Sequence, residues 1–157
     1  MAEIKFGWRE GDGKGREYPV AADQYFHRRG GKFVKLVSGR VTLCASADTQ
    51  IMGWAVTPKD DEGKNAWKSS STAGKDKVFV ITNLDNVFAC PVDERTASIA
   101  ESLIGRGAGL YNTGATYATI QKVWLSSTNA TPLSIVDVDT DNKIAYVKVK
   151  PTHKQAI

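Results

Sequence analysis

From Lys32 onward, short apolar runs alternate with polar turns at close spacing, the pattern of a β protein. Phe33-Val34-Lys35-Leu36-Val37 and Arg40-Val41-Thr42-Leu43-Cys44 are two strands joined by Ser38-Gly39, where Gly39 supplies the positive φ of a tight hairpin. Gln50 to Val56 is a third strand, ended by Thr57-Pro58. Lys59 to Lys77 is a polar loop with Trp67 as its one large apolar residue. Lys77 to Thr82 is apolar on both faces, as a buried strand is, and Asn86 to Val92 follows after a turn. Ser98-Ile99-Ala100-Glu101 has capping-box spacing before Gly105, which predicts a helix of about two turns. Gly105 to Gly109 reads as flexible, and Ala118 to Leu125 as a strand.

The clearest hairpin closes the chain. Ser134 to Asp139 meets Lys143 to Lys150 across Thr140-Asp141-Asn142. Ala145, Val147 and Val149 alternate with Tyr146, Lys148 and Lys150, so one face is wet. Asp137 and Asp139 should then face a lysine-bearing strand, and Pro151 ends the ladder. The expected fold is mainly β: a small β-barrel or sandwich with one short helix and an extended N-terminal arm.

Residues 1–31 break the pattern. They are rich in glycine and charge, and Phe6, Trp8, Tyr18, Tyr25 and Phe26 follow neither strand nor helix period. Such a segment cannot bury enough surface to fold alone. It is read as an N-terminal arm ahead of a β-rich core domain over 32–157. It can order on a partner or fold back on its own domain, and the sequence leaves both open.

Charge sharpens this division. Residues 1–40 hold nine Lys/Arg against five Asp/Glu, whereas residues 41–157 hold twelve of each, so the whole net charge of +4 lies in the leading quarter. A basic, aromatic lead suits an acidic partner surface. Trp8, Tyr18, Tyr25 and Phe26 are the candidate anchors, and Arg9, Arg16, Arg28 and Arg29 the candidate cations, of a partner-binding face. No apolar run approaches the ~20 residues that span a bilayer, so no membrane is expected. The N-terminus has no apolar stretch of signal-peptide type, which points to a cytoplasmic origin.

Candidate chemistry is thin. Gly11-Asp12-Gly13-Lys14-Gly15 lacks phosphate-loop spacing, follows no strand and opens no helix. Asp137, Asp139 and Asp141 alternate like the start of a calcium loop, but Asn142 and Lys148 stand where such a loop needs glycine and glutamate. His27 and His153 lack partners at ligand spacing. Cys44 and Cys90 sit in apolar runs, as buried free thiols do. The chain is therefore read as non-enzymatic, with no metal and no cofactor. Arg28-Arg29-Gly30-Gly31-Lys32 beside Tyr25 and Phe26 supports an alternative reading: an OB-like or SH3-like module gripping single-stranded nucleic acid. A charge surplus of four is modest for such a binder.

Several phrases, taken in order, carry a resemblance. Phe33-Val34-Lys35-Leu36-Val37-Ser38-Gly39-Arg40-Val41-Thr42-Leu43 precedes Ala47-Asp48-Thr49-Gln50-Ile51-Met52-Gly53-Trp54-Ala55. Thr82 to Val92 and Ile135 to Asn142 follow, running on to Val147-Lys148-Val149-Lys150-Pro151. Over roughly residues 18–154, this resembles the capsid decoration (cement) proteins of tailed bacteriophages. The polar loop 57–77 and the charged lead depart from that pattern. The resemblance implies a β-rich structural protein of the virion, often a homotrimer. It would be made in the host cytoplasm, seated on the capsid exterior, and would clamp adjacent major capsid subunits without a cofactor. A tail or fibre component is a variant of the same reading.

Overall fold

The short, β-branched and aromatic runs do form strands, because each buries one or both faces against a neighbour. In a computed structural model of the chain, the residues described are 6–56, 66–94, 97–113, 119–125 and 130–155. Its strands are β1 (Gly7–Glu10), β2 (Gly15–Pro19), β3 (Tyr25–His27), β4 (Phe33–Val37), β5 (Arg40–Leu43) and β6 (Gly53–Val56). They continue with β7 (Ala66–Lys68), β8 (Lys77–Ile81), β9 (Val87–Asp93), β10 (Gly107–Thr113), β11 (Ile120–Trp124), β12 (Leu133–Asp139) and β13 (Ile144–Val149).

Five strands close into a barrel in the order β9-β11-β10-β12-β13, with β13 returning to β9. Only the β9–β11 contact is parallel, and β1 lies antiparallel on β9 beside it. A second sheet runs β2-β8-β6-β4-β5. It curls until its edges meet at the parallel Val20–Val41 bridge, where Ala21 N donates to Val41 O at 3.0 Å. Strands β3 and β7 pair as a separate ribbon whose Phe26 and Trp67 pack into the second sheet's core.

Alternation along the second sheet explains why its strands are apolar on both faces. Phe33, Trp54 and Ile81 point into the closed barrel's core, whereas Val34, Ala55 and Val80 point into the second core. In the first core, Trp54 stacks on Phe88 at 5.2 Å, and Phe33 meets Trp54 edge-on at 4.8 Å. Aromatic pairs of this kind add about 0.5–1.5 kcal/mol beyond area burial. The Ser38-Gly39 turn takes φ of 50° and 76°, the positive pair that a two-residue hairpin loop requires.

Gln121 joins the two halves. Its side chain is 1% exposed; Oε1 accepts from Phe33 N at 2.9 Å, and Nε2 donates to Phe33 O and Cys44 O at 3.0 Å each. A side-chain amide thus fills the gap between the ends of β4 and β5. Gln155 does the same on the other side of β4, bonding both Leu36 N and Leu36 O.

Four expectations are corrected, and one left open is decided. The leading segment is extended and folds back on its own domain: β1, β2 and β3 pair with β9, β8 and β7, so pairings cross residue 31 three times. It gains from the body the burial that it cannot supply itself. The helix expected from Ser98 is a single 3-10 turn, Glu101–Leu103, with no side-chain cap. Gly105 takes a φ of 91° and donates to Ile135 O, ending it before an α-turn can propagate. The run expected to be flexible after it enters β10. Strand β7 arises inside the polar loop because Trp67 finds the second core; residues 57–65 of that loop lie outside the described residues. In the final hairpin Lys143 takes a φ of 57° and belongs to the turn, so the partner strand starts at Ile144; Asp139 then faces Ile144 and Asp137 faces Tyr146 rather than lysines.

Candidate functional site

The eight candidate partner-binding residues do not form one patch, because the leading segment visits both sheets. Trp8 and Arg9 lie on β1 beside the closed barrel, and Trp8 is 44% exposed. Arg16 and Tyr18 lie on β2 opposite Val80 and Val78; Arg16 is exposed, while Tyr18 packs against the second core. Arg28 and Arg29 are exposed in the turn after β3. Tyr25 is half-buried, with Lys68 Nζ 5.8 Å from its ring centre. Phe26 is not a surface anchor: it is 1% exposed and stacks on Trp67 at 5.7 Å.

What the structure does assemble around Arg9 is a groove on the outside of the closed barrel. Its cavity is about 580 Å³. Val87, Val136 and Tyr146 form the apolar lining, and Arg9, Glu10, Asp137 and Lys148 supply two cations and two carboxylates. Two β-bulges build it. On β1, Trp8 faces Phe88 and Glu10 faces Val87, leaving Arg9 as the extra residue. On β12, Ile135 faces Val147 and Asp137 faces Tyr146, leaving Val136 extra and 37% exposed. A bulge re-aims the residue it leaves unpaired, and here both extra residues line the same groove. Sequence reasoning missed Val87, Val136 and Tyr146. The available signal was Ile135-Val136, two adjacent apolar residues that break the alternation of a strand with one wet face.

Electrostatics elsewhere serve structure. Burial, and then Arg29 and Lys32, push the His27 pKa down; its Nδ1 accepts from Arg29 N at 3.1 Å, which holds the turn into β4. Cys44 and Cys90 are buried free thiols, and desolvation pushes both far up. Glu94 is held below the carboxylate range chiefly by the Ile99 N–H that it accepts. Asp139 is lowered by the Asn142 side chain and backbone, so it ties the final turn. Among the described residues, no group of three or more His, Cys, Asp or Glu side chains could hold a metal ion. No helix among them is long and apolar enough to cross a membrane. Comparison with family models, curated proteins and solved structures returns no match.

Proposed function

We propose that this chain is a non-enzymatic structural protein of a phage virion, which binds the capsid exterior and clamps adjacent major capsid subunits as a homotrimer. The observation that carries a docking role is the bulge-built groove, where Arg9 and Val136 are turned outward beside the exposed Trp8. Bulged strands that present Trp, Tyr and Arg match the composition of interface hot spots. The ordered hairpin phrases of the sequence supply the capsid as partner. A ligand that binds only the assembled shell stabilises it by mass action, and three linked copies gain avidity beyond one contact.

The test is co-sedimentation of the protein with purified shells from which it has been stripped. Arg9→Ala and Val136→Asp should each weaken occupancy by roughly 30-fold, the effect of losing about 2 kcal/mol at a hot spot. Arg40→Glu, remote on the β4–β5 turn, should leave it unchanged. Undiminished occupancy in both groove variants would overturn the docking assignment, and absence of shell binding by the unaltered protein would overturn the capsid reading. Light scattering of the shell-released protein tests the trimer, and a salt-sensitive oligonucleotide titration would favour the nucleic-acid alternative instead.

A further inference from the structure

A second concave site lies where the two halves of the molecule meet, away from the groove above, and it does not depend on the capsid reading. Its volume is about 260 Å³. Tyr25 and Leu43 give it apolar walls, from the β3 ribbon and from β5. Thr42, Thr119 and Asn112 give it two hydroxyls and an amide, from β5, the approach to β11, and β10. Asp23 stands at its edge, in a left-handed conformation with φ 55°.

We propose that this seam binds one neutral sugar ring. Three features select that class. First, the charge at the site is matched: Asp23 Oδ1 is 3.1 Å from Lys68 Nζ, and the same ammonium sits over the Tyr25 ring. A charged ligand would gain no uncompensated partner, whereas sugar hydroxyls can both donate to the carboxylate and accept from hydroxyls. Second, the walls combine an aromatic ring and a leucine with convergent polar groups. A sugar ring, with C–H faces and a hydroxyl rim, needs both kinds of contact. Third, Asn112 is underused. Its Nδ2 makes only a long bond to Cys44 O at 3.3 Å, and its Oδ1 is screened from solvent with no hydrogen-bond partner. A buried acceptor left unpaired is costly, and a small turn of this side chain toward the pocket would offer it to a ligand hydroxyl.

The test is a titration of the ¹⁵N-labelled protein with D-glucose, D-galactose, D-mannose and N-acetyl-D-glucosamine, each to about 50 mM, a range that captures millimolar binding. At least one sugar should give saturable shifts confined to the amides of Gln24, Leu43 and Asn112 and their neighbours. Thr42→Val and Asn112→Leu, each checked for an unaltered remainder of the spectrum, should weaken that binding about tenfold. Thr119→Val serves in place of either variant that fails to fold. No saturable shift with any of the four sugars overturns the proposal, because the seam then holds only ordered water. Binding that persists unchanged in the folded variants overturns it equally, by placing the sugar elsewhere.

Discussion

Replacing Gln121 with leucine tests whether a single amide holds the two halves of this protein in register. The substitution nearly keeps the volume and the apolar contacts, so its cost comes from hydrogen bonds. Phe33 N–H loses its acceptor and is left buried without a partner, which costs roughly 1–3 kcal/mol. Phe33 O keeps the bond from Cys44 N, and Cys44 O keeps the long bond from Asn112 Nδ2. Each carbonyl therefore loses only one of two donors, at about 0.5–1 kcal/mol apiece. The sum is about 2–5 kcal/mol, a large share of the 5–15 kcal/mol that typical domains possess. Urea unfolding should show a lower midpoint at unchanged slope, and the melting temperature should drop by roughly 6–12 °C for a central loss of about 3 kcal/mol. Gln121→Glu should behave differently with pH. It keeps one acceptor but buries a carboxylate, so its folded pKa is raised. Its stability relative to the parent should be best below the ordinary glutamate value of about 4.3 and decline as pH rises through it. A loss below about 0.5 kcal/mol for Gln121→Leu would refute the reasoning, because it would mean that Phe33 N–H finds another partner at no cost.

Other outcomes follow from single contacts. Gly15→Ala should destabilise strongly, since a Cβ there would lie 1.8 Å from Val80 O; a variant as stable as the parent would mean that β2 is not seated on β8. His27 is held neutral by burial beside Arg29 and Lys32. Because its folded pKa is lowered, stability is full above the ordinary 6.5 and is lost as pH falls below it. The decline in urea midpoint from pH 7 toward pH 5 should therefore shrink in His27→Gln, and an unchanged decline would remove His27 as its cause. Cys44 and Cys90 should resist a thiol reagent in the native protein and react together on denaturation. Fast native labelling of either would contradict its burial.

Much of the β architecture was legible because strand signals are local. The β4–β5 hairpin could be read from Ser38-Gly39 between two apolar runs, and β12–β13 from the alternation of Ala145, Val147 and Val149. The double-sided burial of the Lys77–Ile81 run was half legible. Val78, Val80 and Ile81 are buried, but Phe79 stays exposed where the closed barrel does not reach. The groove was scarcely legible. Arg9 could be singled out for its charge, but nothing near it in sequence names Val87 or Tyr146, which arrive from 78 and 137 residues further along. Trp67 looked like a lone aromatic in a polar loop and Phe26 like a surface anchor, yet the two stack on each other in the second core.

The sequence by itself determined that this is a β protein with tight hairpins, buried thiols and a charged lead. Those properties follow from side-chain alternation, turn chemistry and composition within a few residues. Only the tertiary structure decided that the lead is woven into both sheets, that two bulges aim Arg9 and Val136 at one groove, and that Gln121 bridges the halves. These depend on long-range register. A one-residue slip on a strand reverses which face each side chain takes, and no local window of sequence records which distant strand sets that register.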